Sequence, residues 1–84
     1  MSALALRQSF ANFLSHLAAG SETEDEWFKH VITHYRDEEL EEIRRALVRL
    51  GIERNRAGRF AAWEPDDCAQ MLRWAAQLGG AAAG

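Results

Sequence analysis

Eighty-four residues make one small domain, with thirteen acids against ten bases for a net charge of −3. A hydrophobic share of 48% excludes a disordered chain, which combines few apolar residues with high net charge. Fifteen of those hydrophobic residues are alanine, so large side chains are scarce and the core has little stability to spare.

The first predicted element is the helix in "ALALRQSFANFLSHLAAG". Leu6, Phe10, Phe13, Leu14 and Leu17 recur at steps of three and four, which puts them on one helical face. Ser2 is its candidate N-cap, and Gly20 suits the left-handed position that ends it. A second helix starts at "SETEDEW", where Ser21 with Glu24, or Thr23 with Glu26, has capping-box spacing. Its apolar stripe of Trp27, Phe28, Val31, Ile32 and Tyr35 predicts a helix running through Tyr35. A turn at Arg36 and Asp37 follows, with Asp37 as N-cap of a third helix whose seam is Leu40, Ile43, Leu47 and Leu50. Glu41 and Arg45 form an i,i+4 pair on its outer side. Gly51 is expected to end this helix, with Ile52 folding back as the apolar partner of the cap.

The next stretch, "IERNRAGRFAAW", is read either as a short hairpin, with strands at about 52–54 and 60–62, or as an irregular loop anchored by Phe60 and Trp63. The last helix opens at "EPDD", where Pro65 fits the first helical position and Asp66 and Asp67 suit the positive end of the dipole. Cys68, Met71, Leu72, Ala75 and Leu78 are its expected buried face, with Trp74 at the flank. The expected architecture is all-α or nearly so: four helices around one core, residues 1–78, with a basic loop or short β-hairpin between helices 3 and 4, and a flexible tail at 79–84.

Charge is divided unevenly. Residues 1–42 hold nine acids and three bases, and residues 43–84 hold four acids and seven bases. Arg45, Arg49, Arg54, Arg56 and Arg59 form a basic cluster, and guanidinium groups grip phosphate oxygens in pairs. Two helices joined by a tight turn, the second ending in "LVRLGI", then "ERNRAGR" and an aromatic residue, resemble a winged-helix domain over residues 27–63. That resemblance implies a second helix that enters the major groove and a hairpin wing that touches the backbone or the minor groove. The start of the corresponding helix departs from this pattern, since "DEELEE" carries five acids in six residues. Recognition helices present that end to the bases.

The same acids point to a protein partner with a basic surface. Glu24, Asp25, Glu38, Glu39, Glu41 and Glu42 exceed what capping needs, and complementary charge speeds association. Trp63 and Trp74, at element edges, are candidate interface anchors. The small core and divided charge also point to a homodimer. In "HVITH", His30 and His34 stand one helical turn apart, the spacing of a two-histidine metal chelate, but Val31 occupies the place where the zinc-protease pattern needs glutamate. On the helical wheel His30 is expected in water, opposite the apolar stripe.

The single cysteine excludes an intrachain disulfide and a cysteine-built zinc knuckle. No phosphate loop, dinucleotide fingerprint or G-x-S-x-G elbow occurs, so no cofactor and no catalysis are expected. No apolar run reaches the ~20 residues that cross a bilayer, and "MSALALRQSF" lacks the form of a secretory signal. A cytoplasmic location is therefore expected. The reading is a non-catalytic regulator that binds a macromolecule, of the antitoxin, immunity, inhibitor or adaptor type. The alternative is a winged-helix-like nucleic-acid binder.

Overall fold

Helices carry most of the described residues: α1 (Ala3–Ala18), α2 (Glu24–Val31), α3 (Glu38–Arg54) and α4 (Pro65–Gln77). The structure, a computed structural model, describes residues 3–21, 23–54 and 63–79, and contains no strand among them. Ser2, Glu22, residues 55–62 (with Arg56, Arg59 and Phe60) and residues 80–84 lie outside the described residues, as does one strand of the expected hairpin.

The ends of the helices follow local chemistry. Gly20 has φ 75°, the left-handed region in which glycine has no side chain to clash. Its N–H bonds to the Leu17 carbonyl, and that of Ser21 to the His16 carbonyl; together these bonds satisfy the last carbonyls of α1 as a Schellman cap. The Thr23 hydroxyl accepts from the Glu26 N–H at 3.2 Å, and Asp37 Oδ1 accepts from the Leu40 N–H at 3.2 Å. Pro65 begins α4, and Asp67 reaches back to accept from the Glu64 N–H at 3.0 Å.

The core is one cluster. Phe10, Phe13, Leu14 and Leu17 of α1 meet Leu40, Ile43 and Leu47 of α3 and Met71, Ala75 and Leu78 at the α4 side, with Val31 from α2. Helix α1 packs most closely against α4. The first turn of α3 ties both together, because Arg7 and Gln77 each bind Glu39, at 2.8 and 3.2 Å. Those contacts set the start of α1 beside the end of α4, so the two run antiparallel. Trp27 lies against Gly51, and Arg44 reaches the Val31 carbonyl, so α2 and α3 are antiparallel as well. The molecule is thus an α1/α4 pair laid over an α2/α3 pair.

Three expectations are corrected. Helix α2 stops at Val31 instead of reaching Tyr35, because side chains of α3 take the backbone groups that further helix would use. Arg44 Nη1 donates to the Val31 carbonyl at 2.7 Å, and the Tyr35 N–H donates to Glu41 Oε1 at 3.0 Å. Helix α3 does not end at Gly51 but runs to Arg54, so residues 52–54 are helical and not a strand. Gly51 has a packing role instead: a β-carbon there would stand 2.7 Å from two atoms of the Trp27 ring. Leu72, expected inside, is about half exposed, and Cys68 is only partly buried. Helix α4 turns its Met71 and Ala75 side inward instead.

Candidate interaction surface

Arginines of the chain are used first to hold the fold together. Arg44 is buried, with 7% of its surface exposed. Its Nε and Nη2 grip Glu41 at 2.9 and 2.6 Å, the two-point geometry in which guanidinium binds carboxylate best. Glu41 also accepts from Arg45 Nε at 3.1 Å, and its Oε2 stands 3.2 Å from His34 Nδ1. The Arg44 guanidinium, with the Tyr35 N–H and His34, holds the Glu41 carboxyl well below its usual value. Arg7 binds Asp37 through Nε at 2.6 Å and Nη2 at 3.1 Å. That pair, with the Leu40 N–H, lowers Asp37 to about 2. Arg54 binds Asp67 in the same way, at 2.6 and 3.0 Å, and lowers its pKa too.

These pairs sort the sequence candidates. Among the acids, Glu41 has a side chain only 12% exposed and is engaged inside the molecule, and Glu39 is tied to Arg7 and Gln77. Glu24, Asp25, Glu38 and Glu42 are exposed and carry no ion pair among the described residues. They form two groups, because α2 and α3 are antiparallel: Glu24 and Asp25 lie toward the Gly51 end of α3, Glu38 and Glu42 at its start. At ~1.5 Å per residue, thirteen residues of α3 separate the groups by roughly 20 Å.

Among the bases, Arg54 is held by Asp67 and Arg45 by Glu41. Arg49 is exposed and without an ion pair among the described residues. It lines an open groove of about 400 Å³ between α3 and α4, with Glu53, Asp66, Gln70, Arg73 and Trp74. Carboxylates and guanidiniums share its walls, so the groove favours neither charge. Trp74 is half-buried there. Trp63 is half-buried against Trp27, ring centroids 5.7 Å apart, and its indole N–H is buried with no acceptor among the described residues.

The histidines do not converge. His30 is not in water: it points inward, 12% exposed, stacked on Phe13 with centroids 4.3 Å apart and planes 3° from parallel. Its Nδ1 is 2.8 Å from the Glu26 carbonyl, which places the ring proton on that nitrogen. His34 lies past the end of α2 with a side chain 77% exposed. The i,i+4 geometry that the spacing implied therefore does not form, since the helix stops three residues before His34. Among the described residues no group of three or more His, Cys, Asp or Glu side chains could hold a metal ion. None of the described helices is long and apolar enough to cross a membrane.

Compared with known protein families, characterised proteins and solved structures, the chain matches none. Its own surface must therefore carry the functional reading.

One feature of that surface escaped the sequence reading. Phe28, Ile32 and Ile52 are 51%, 68% and 69% exposed. Phe28 and Ile32 each follow an inward residue of α2, Trp27 or Val31, by one ~100° step. Ile52 follows Gly51 by the same step on α3. In an antiparallel pair those steps turn to the same side, whereas His30 turns the other way, onto α1. The three side chains therefore share the outer face of the α2/α3 pair. A signal was present: "WF" and "VI" put paired apolar residues one helical turn apart, wider than the single stripe one buried face can take.

Proposed function

We propose that the protein is a non-catalytic interaction module whose partner is a protein with a basic surface. The observation that carries this reading is the sorting of charge. Arg7, Arg44 and Arg54 are engaged by the chain's own acids, while Glu24, Asp25, Glu38 and Glu42 remain exposed. A basic partner meets acids that carry no ion pair among the described residues, and complementary charge raises its association rate. Self-association belongs to the same reading, because a thin core gains from burial against a second copy.

The nucleic-acid alternative, with winged-helix-like docking, rests on Arg45, Arg49, Arg54, Arg56 and Arg59. Arg54 already has a carboxylate partner, and the first turn of α3 carries Glu38, Glu39 and Glu41, which repel phosphate. Protein binding is therefore the better-supported reading. It is tested by capture from the native source with wild type and with an Asp25→Lys, Glu38→Lys, Glu42→Lys variant. The reading expects a protein partner recovered by the first and lost by the second. A mobility shift with DNA or RNA that persists in moderate salt and disappears on replacing Arg49, Arg56 and Arg59 by alanine would establish the alternative.

A further inference from the structure

We infer that the outer face of the α2/α3 pair is a self-complementary dimer surface, occupied by the same face of a second copy. The inference rests on the self-association part of the proposed function and names the surface responsible.

Its centre is apolar. Phe28, Ile32 and Ile52 expose half or more of their surface, and Val48, one turn before Ile52, adds a partly buried neighbour. Isolated exposed apolar residues are ordinary, but a contiguous apolar strip on one face marks a contact surface. Large apolar residues are few in this small chain, and the fold leaves three of them on a single side.

The charges at the two ends of the strip select a second copy as the occupant. Glu24 precedes Phe28 by four residues and lies on the same stripe of α2. Arg45 precedes Ile52 by seven and lies on the same stripe of α3. With Trp27 level with Gly51, Glu24 falls at one end of the strip and Arg45 at the other, about 13 Å apart along the helix axes. A two-fold axis lying in the face, midway between them, exchanges the two positions. Each copy then sets its Glu24 against Arg45 of the other, and the apolar strips close on one another. Such reciprocity is the defining property of a two-fold interface. Arg45 is free to take this role: its side chain is 66% exposed, and its present partner Glu41 is already held at two points by Arg44.

Sedimentation equilibrium of the full chain tests the inference, with circular dichroism as a check on folding. Wild type is expected to dimerise, and Ile32→Lys to weaken the dimer about tenfold or more with the same melting curve as wild type at dilutions where both are monomers, since Ile32 is 68% exposed in the monomer. Glu24→Arg and Arg45→Glu are each expected to weaken it, and the two together to recover most of the loss. A monomer at every concentration, or a dimer indifferent to Ile32→Lys, overturns the proposal, as does a double variant weaker than either single one. Capture of a basic partner is read separately, through Asp25, Glu38 and Glu42, which the dimer variants leave unchanged.

Discussion

Position 51 shows how one residue fixes two helices. Glycine in a helix interior costs about 1 kcal/mol relative to alanine, yet α3 keeps one there because the Trp27 ring occupies the space of a side chain. Gly51→Ala regains that helix propensity but drives a β-carbon to 2.7 Å from the ring. Overpacking of this kind costs about 1–3 kcal/mol, and Trp27 cannot swing clear without leaving Phe13 and Trp63. We expect a net loss of about 1–2 kcal/mol in urea denaturation; a gain would show that α2 is not pressed on α3 as described. The sequence carried the glycine but not its reason. "RLGI" has the form of a helix end, and only the tryptophan brought to it from twenty-four residues earlier gives it another meaning. His30 was misplaced for a related cause: the wheel assigned it to solvent, but with α2 cut short and packed on α1, its ring became part of the aromatic layer with Phe10 and Phe13.

At the scale of elements, helix positions were legible and helix ends were less so. The seams of α1 and α3 and the caps at Gly20, Thr23, Asp37 and Pro65 follow from spacing and local chemistry. The end of α2 does not, because it is set by Arg44 and Glu41, side chains of the next helix. Arg44→Met removes the donor to the Val31 carbonyl and leaves Glu41 in a mostly buried site with its best partner gone. The loss is expected to be about 3 kcal/mol, the cost typical of breaking a buried pair from one side. Arg45→Ala removes only an exposed partner of the same carboxylate and is expected to cost less than about 0.5 kcal/mol. Equal losses in denaturant melts would contradict the assignment of Arg44 as the clasp.

The three clasps also give stability a defined pH dependence. Asp37 is lowered from 3.8 to about 2 by the Arg7 guanidinium and the Leu40 N–H, and Glu41 and Asp67 are lowered by Arg44 and Arg54. In acid the unfolded chain binds protons that the folded chain refuses, so folding weakens as pH falls. The contribution of Asp37 is complete above about pH 4 and is lost toward about pH 2. Melting temperatures measured down that range should fall, and Asp37→Asn should flatten the decline. A melting temperature indifferent to pH across that range would mean that these carboxylates are not paired.

Considered as a whole molecule, the chain pairs Arg7, Arg44 and Arg54 with its own acids and leaves Glu24, Asp25, Glu38 and Glu42 outward. Four helices and an apolar core were legible because periodicity at three and four residues leaves little else for Phe10, Leu14, Leu40, Leu47 and Met71 to do. The partition of the charged residues was not legible. Glu41 and Glu42 are equivalent in sequence, yet one is enclosed by two arginines and a backbone N–H while the other stands in solvent. Arg54 looked like part of a basic loop and instead clamps the capping aspartate of α4. Pairings across thirteen or thirty residues depend on the packed arrangement, which no local pattern encodes. The surface that results, rather than any motif, is the basis for reading the protein as a docking module.

That reading meets its most direct test in a single comparison, affinity capture from the native source by wild type and by the variant in which Asp25, Glu38 and Glu42 are lysines. The account predicts one protein retained by the wild type and absent from the reversed surface, with both baits folded and free of nucleic acid. Capture that is equal for both baits, or nucleic acid as the retained species, would contradict it.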